Sequence, residues 1–569
     1  MVSVAVLGGG VGGLSAAHEL AERGFDVTVY EARKKALGGK ARSMPVPKSG
    51  KGKRKDLPAE HGFRFLPGFY RHLPDTMARI PSGAGTVRQH LTSTSEMMMA
   101  QEGGRNELIA PTQPPSTLED LEVAIRFMWD FATELGIEPQ ELVFFFERLL
   151  TLLCSCDERR YQQWDLVSWW NFTGAAKRSP GFQKFLATGL TRTLVAAQAQ
   201  QISARTGGLI LCQLLFDMMR VGGQVDRVLD GPTSEVWIDP WITYLRGLGV
   251  DLRSDSAVAG IHCDGRRITG VTVQGATGSE RITADYYVAA LPVERMRDLV
   301  SAELRAAEPR LVALPRLVVR WMNGAMFYLH EDVKLVEGHV IFIDSEWALT
   351  AISQAQFWPG VDLSKRGDGS VKGVLSVDIS DWNQPGPLTG KVAMACSPDE
   401  IRAEVCRQLT AAFEDQSLDE VNAAKWFLDP DIHFPNPRKA INLEPLLINT
   451  AGSWADRPDA VTRIPNFFLA ADFVRTYTDL ATMEGANEAA RRAVNGILDA
   501  TGSRADRCDV WKLHEPAMLA PFRALDRLHW ELRLPVRPPV RVTETGELAP
   551  RDPIAHGLLT AARFAARHV

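Results

Sequence analysis

A strand, a glycine-rich turn, a helix and a second strand fill the first 31 residues, and together they commit the chain to a parallel αβ layer. Val4-Ala5-Val6-Leu7 is a short apolar run ending in Gly8-Gly9-Gly10-Val11-Gly12-Gly13. Helical spacing follows at Leu14, Ala17, Leu20 and Ala21. Gly24 interrupts it, and Val27-Thr28-Val29-Tyr30 ends on Glu31. Glycines 8, 10 and 13 fit G-x-G-x-x-G, with an acid eighteen residues after the last. Gly8 is expected to make the tight turn, Gly10 to let a pyrophosphate approach the backbone, and Gly13 to let helix and strand pack closely. The helix start at Val11 and Gly12 offers N–H groups and a partial positive charge to phosphates. Glu31 can accept hydrogen bonds from ribose hydroxyls, and its charge repels a 2′-phosphate. The unit therefore reads as a site for an unphosphorylated dinucleotide.

The next residues separate flavin from nicotinamide. Glu31-Ala32-Arg33 runs into Leu37-Gly38-Gly39-Lys40-Ala41-Arg42, a second loop where backbone can approach a ligand, with cations for phosphate. It resembles the G-G-(R/K)-x-R signature of FAD enzymes in the amine oxidase and phytoene desaturase superfamily. Near the far end, Thr462 to Asp472 reads as a strand ending on an acid, and Thr478 to Ala490 opens a helix running to about Ala500. This resembles the C-terminal flavin motif of the same superfamily. The resemblance implies a non-covalent FAD held by Asp472 and by a helix start at Thr482, Met483 and Ala486, which would stabilise negative charge on the reduced ring.

Composition sets the frame. At 569 residues the chain exceeds one simple core, and a net charge of −5 gives no bulk electrostatic case for nucleic acid. The basic run Lys48, Lys51, Lys53, Arg54 and Lys55 reads as a solvated loop, with anionic headgroups or an acidic partner as the sharper option. Seven cysteines without a spacing framework argue for a reducing, cytoplasmic setting. Cys154-Ser155-Cys156 is too tight for a zinc pair, so no metal is expected. No signal peptide precedes the first strand, and no apolar stretch reaches the length of a membrane span.

The fold class is α/β: a Rossmann-type FAD-binding domain interleaved with a mixed-sheet, α+β substrate domain and a helical region. Residues 1–75 form the first FAD-binding part and 76–205 a mostly helical region facing substrate or membrane. Within it, Thr117 to Ser203 reads as largely helical, with a very apolar helix at Leu142 to Leu153. Residues 206–292 form the second FAD-binding part. It holds an apolar helix at Gly207 to Arg220, and its alternation from Val250 onward reads as a β-meander. By the resemblance, a backbone amide at Val258 meets the adenine. Residues 293–445 form the aromatic-rich substrate domain, 446–500 the third FAD-binding part, and 501–569 a C-terminal extension. In that extension Trp511 to Leu532 falls near helical spacing, and Pro553 to Val569 suggests a final helix.

Ala59-Glu60-His61-Gly62-Phe63-Arg64-Phe65 resembles a segment of plant-type phytoene and ζ-carotene desaturases, a branch that also includes hydroxysqualene dehydroxylases. This implies desaturation or dehydrogenation of a large apolar, isoprenoid-like substrate, with hydride passing to flavin. His61, Arg64 and Asp479 are the polar candidates near the ring, and the sequence names no catalytic base among them. C–N oxidation is the alternative. A non-redox FAD isomerase and a prenyl-binding escort stand behind it. The electron acceptor has no signature. Peripheral membrane contact and self-association stay open.

Overall fold

The computed structural model describes residues 1–109, 122, 125–126, 136–189, 197–218, 226–333, 335–413, 423–436, 439–536, 538–543 and 545–566. The opening unit folds as β1 (Ser3–Leu7), α1 (Val11–Glu22) and β2 (Asp26–Tyr30). Three later segments join them: β3 (Asp251–Arg253), β4 (Tyr286–Ala289) and β5 (Phe467–Leu469). The sheet order is β3-β2-β1-β4-β5, and every pairing is parallel. Its central strands are covered on both faces. Hence the unbroken apolar runs, with Val6, Val29, Val288 and Leu469 fully buried.

Two more helices complete this layer, α2 (His72–Arg79) and α3 (Met483–Thr501). α3 packs on α1 and α2 through buried polar contacts: Asn487 Nδ2 donates to Ser15 Oγ at 2.8 Å and to Thr76 Oγ1 at 2.9 Å. α3 ends on Gly502 in the left-handed conformation that suits a helix C-terminus.

A mixed seven-stranded sheet forms the second layer. Its spatial order is Arg105–Ile109, Glu96–Gln101, Gly338–Phe342, Leu349–Ser353, Gly373–Ile379, Asn323–Leu329 and Ala423–Leu428. Only Glu96–Gln101 and Gly338–Phe342 pair in parallel. Every residue of Asn323–Leu329 and of Gly373–Ile379 is buried. A meander of Ala257–Cys263, Ile268–Gly275 and Gly278–Ile282 leads into β4.

The apolar helix expected around 142–153 is Pro139–Cys154. It shares a core with Trp169 and Phe182 and with Leu519, Phe522 and Val542 of the tail, so the tail packs on the body. Several expectations shift. Asp251–Arg253, expected with the meander, lies beside β2 instead. The strand expected over Thr462 to Asp472 shrinks to Phe467–Leu469, after Pro465, which has no N–H to pair. The tail's helical run narrows to Ala520–Glu531, because Pro516 and Pro521 interrupt helical bonding upstream. The apolar helix expected at 207–220 is Ala204–Met218, and the final helix is Pro553–Ala566. Most of 117–135, and residues 219–220 and 567–569 of the expected helices, lie outside the described residues.

Candidate functional site

The site begins where β1 turns into α1. Gly8 takes φ +109°, and a methyl on Gly13 would sit 1.8 Å from Gly8 O, so only glycine lets helix and strand approach this closely. No side chain caps α1, leaving its first-turn N–H groups for a ligand. Glu31, at the end of β2, is buried. Its carboxylate accepts from Gly9 N and from Arg33 N, both at 2.8 Å, and keeps further lone pairs. Ala32 lies between them in the chain. Glu31 O also accepts from Ser256 N at 2.8 Å, which brings half-buried Val258 toward this end.

The second glycine loop abuts the first: Gly38 N donates to Gly9 O at 2.8 Å, and Gly10 pairs with Gly38. Ala41, buried, closes the loop through a 3.0 Å bond from its N–H to Gly38 O. The cations expected beside phosphate already hold protein partners. Arg42 Nη2 meets Asp431 Oδ2 at 2.6 Å, and Arg33 Nη2 lies 3.1 Å from the same atom. Glu444 contacts both arginines. Lys40 donates to Pro445 O and faces Glu294 at 4.0 Å. Burial pushes Glu294 up against the pull of Lys40.

The C-terminal motif arrives at the same place. A methyl on Gly12 would lie 2.1 Å from Ala470 O and 3.6 Å from Ala486 O, so the starts of α1 and α3 meet at the end of β5. Thr482 caps α3 by accepting from Gly485 N at 3.1 Å. Asp472, Thr482, Met483 and Ala486 are half-buried, as are Gly10 and Gly39, while most of α3 is buried. These residues gather where the two helix N-termini meet at the end of β5. Glu484 is buried and accepts backbone N–H bonds from Arg71 and His72 at 2.7 Å and from Leu73 at 2.8 Å, and it pairs with His72 Nδ1. Burial opposes its ionisation, but His72 and these amides hold Glu484 below the usual carboxylate range.

The three catalytic candidates part company. His61 is buried with Nδ1 in ion-pair contact with Asp429, which also accepts from Asn323 Nδ2 at 2.9 Å and Asp431 N at 3.0 Å. Burial resists ionisation of Asp429, and His61 nonetheless draws it below its ordinary value. Arg64 is buried with Glu60 Oε2 at 3.8 Å, and burial lowers its proton affinity. Its Nε and Nη2 have no hydrogen-bond partner among the described residues, and it lines a recess with Gln354, Phe357 and Trp358. Asp378, beside Gly62, is pushed up to about 7 by burial, against the pull of Arg64. Asp479 lies elsewhere, with φ +46°, bonded to Thr206, Asn449 and Arg457 and 2.7 Å from Arg205 Nη2. These contacts anchor the loop entering α3. His61, Asp429 and Asp431 place metal-ligand atoms within 4.8 Å of one another, but Arg33 and Arg42 already neutralise Asp431.

Asp378, Asp429, Asp431 and Glu444 had no sequence signal as site residues, since each meets its partner far along the chain and outside any local motif. Glu484 stands inside the C-terminal motif, but its partners at 71–73 had no signal.

Residues 11–498 match the family described as flavin containing amine oxidoreductase. The ζ-carotene desaturase of Synechocystis sp. is 26% identical over 530 residues, 87% of this chain and 97% of the relative. The carotenoid phi-ring synthase of Streptomyces griseus is 25% identical over 549 residues, 92% and 93% of the two chains. Among solved structures, wild-type putrescine oxidase bound to putrescine superposes with a TM-score of 0.58 at 14% identity, covering 88% of this chain and 99% of that one. Cyclohexylamine oxidase from Brevibacterium oxydans superposes with 0.57 at 15%, with the same coverage. At these identities the superpositions speak for the fold alone.

Proposed function

We propose a function from one premise: this chain belongs to the flavin containing amine oxidoreductase family. The cofactor is FAD, held without a covalent bond, and the reaction is desaturation or dehydrogenation of a large apolar, isoprenoid-like substrate. One observation carries the reading: two helix N-termini and two glycine loops converge at the ends of β1 and β5, beside the buried acid Glu31. An acid at the end of β2 suits a ribose, which favours the dinucleotide form of flavin. No cysteine falls between Asp472 and Ala486 to form a thioether. The substrate class rests on two relatives named for carotenoids, each aligned over most of both chains.

The residues that would hold FAD are Gly8 to Gly13, Glu31 to Arg33, Gly38 to Arg42, Val258, Asp472 and the start of α3. Bound FAD supplies a two-electron acceptor able to take a hydride from a C–H bond. The first turn of α3 provides N–H groups and the positive end of its dipole where negative charge would gather. His61 lies against Asp429 through Nδ1, which leaves Nε2 as the ring atom available for proton exchange with a substrate.

An apolar substrate has to leave lipid. Among the described residues no helix is long and apolar enough to cross a membrane. Exposed Leu528, Leu532 and Leu534 stand on the tail among exposed Arg527 and Arg533, which supports contact at a lipid surface. All seven cysteines are free, in keeping with a reducing, cytoplasmic setting. The phi-ring synthase relative favours a second reading, action of the same site on a carotenoid ring.

The test is an absorbance spectrum of the purified protein before and after acid precipitation. Flavin bands released into the supernatant, then bleached anaerobically by an isoprenoid polyene, are expected. Colour retained in the pellet overturns non-covalent binding. Bleaching by amines alone overturns the substrate class.

A further inference from the structure

We propose that the segment from Asp429 to Pro445 is a clasp on the flavin site. In it Asp431 and Glu444 act as positioning residues that hold Arg33 and Arg42 and so set how tightly FAD is retained. The proposal rests on the FAD reading above.

The segment leaves the seven-stranded sheet after Leu428 and makes a hairpin of Ile432–Asn436 and Lys439–Asn442. Residues 437–438, between the two strands, lie outside the described residues. Pairing of Ile432 with Asn442 brings its two feet together, so that Asp431 and Glu444 stand side by side. Each arginine touches both acids. Arg33 Nη2 lies 3.2 and 3.1 Å from the two oxygens of Asp431 and also bonds Glu444. Arg42 gives Nη2 to Asp431 at 2.6 Å and Nη1 to Glu444 at 3.4 Å. Two positive and two negative groups close a ring with no net charge. Burial opposes ionisation of Glu444, yet Arg42 and Arg33 hold it below its usual range.

The feet are tied to the sheet as well. Glu444 N donates to Asn442 Oδ1 at 2.9 Å, Asn442 Nδ2 to Asn323 Oδ1 at 2.7 Å, and Asn323 Nδ2 to Asp429 Oδ2 at 2.9 Å. At the other end, Arg33 N is bonded to the carboxylate of Glu31, which also holds Gly9 N. A continuous run of polar contacts therefore links the seven-stranded sheet to the ribose acid. Neutralised arginines add little net attraction for a diphosphate. Their contribution is to fix Glu31 and the second glycine loop.

This yields a prediction opposite in sign to that of simple counterions. If Arg33 served as a free cation for phosphate, Glu444→Gln would liberate it and FAD would bind more tightly. If the clasp sets the geometry, Glu444→Gln weakens FAD retention by about tenfold, the loss of one charge-assisted contact. The measurement is FAD release from diluted holoprotein, followed by flavin fluorescence, alongside thermal melting. Glu444→Asp keeps the charge and shortens the reach. The clasp predicts weaker retention there too, and the counterion account predicts no change. Arg33→Gln with Glu444→Gln is expected to be no worse than the weaker single variant, because both break one ring. Tighter or unchanged retention in both Glu444 variants overturns the clasp, as does a lower melting temperature with unchanged FAD release. A wild-type chain that carries no FAD overturns the dinucleotide reading and the clasp with it.

Discussion

At the scale of single residues, what the sequence could show was set by distance along the chain. Glu31 and the glycines at 8, 10 and 13 were readable because their roles depend on spacing within one turn and one helix. Asp378 was not, because its environment is made by Gly62 and Arg64, more than three hundred positions away. That environment has a measurable consequence. Burial pushes Asp378 from 3.8 up to about 7, with Arg64 opposing. Between those values the folded chain keeps a proton that the unfolded chain has released. Raising the pH through that window therefore favours the unfolded state, and above it the effect is complete. Asp378→Asn has no such proton to lose. Urea melts across the window are expected to show the wild type losing stability relative to the variant as pH rises. Parallel curves for the two proteins would place the proton elsewhere.

At the scale of elements, the readable ones carried their own period and their own caps. α1 and β2 formed as spaced, and α3 starts at the Thr482 that the motif supplied. Elements shifted where a proline broke the backbone bonding, and also where the backbone is used by something distant. Trp511 illustrates this: its N–H donates to His72 Nε2 at 2.9 Å, and Arg71 and Arg491 lie over its ring at 5.0 and 5.3 Å. The chain there is latched to α2 rather than coiled into the helix its spacing suggested. Glu484 is the other half of that joint. Lying in the first turn of α3, it satisfies the N–H groups that open α2, a capping role played by a residue from another helix. Glu484→Ala leaves those amides and His72 without their anion in a buried place, at an expected cost of about 3–5 kcal/mol. Denaturant unfolding of the FAD-free protein measures it. A loss confined to the FAD-loaded form would mean that the residue serves the ligand instead.

At the scale of the whole molecule, the fold is held together by strands recruited from far apart. β1 and β2 come from the first thirty residues, while β5 closes the same sheet at Phe467–Leu469. Alternating segments could be read as interleaved, but no sequence pattern says which surfaces meet, and the tail shows why that matters. Leu519, Phe522, Val540, Val542 and Leu559 are buried against Phe145, Leu149 and Leu152 of the long apolar helix. This helix therefore owes part of its burial to residues that follow Gly502. Full burial of each such side chain is worth roughly 1.5–3 kcal/mol, so losing the tail removes about as much as the net stability of a typical domain. Truncation after Gly502 spares every residue assigned to FAD. It is nevertheless expected to give a chain that aggregates, or that melts without cooperativity, with the apolar face of Pro139–Cys154 exposed. Soluble yield, calorimetry and protease sensitivity of the truncated chain measure this directly. A truncated chain that stays soluble and melts as sharply as the full one, at the same temperature, would show that the helical layer stands without the tail and that the extension is an addition to the fold rather than part of its core.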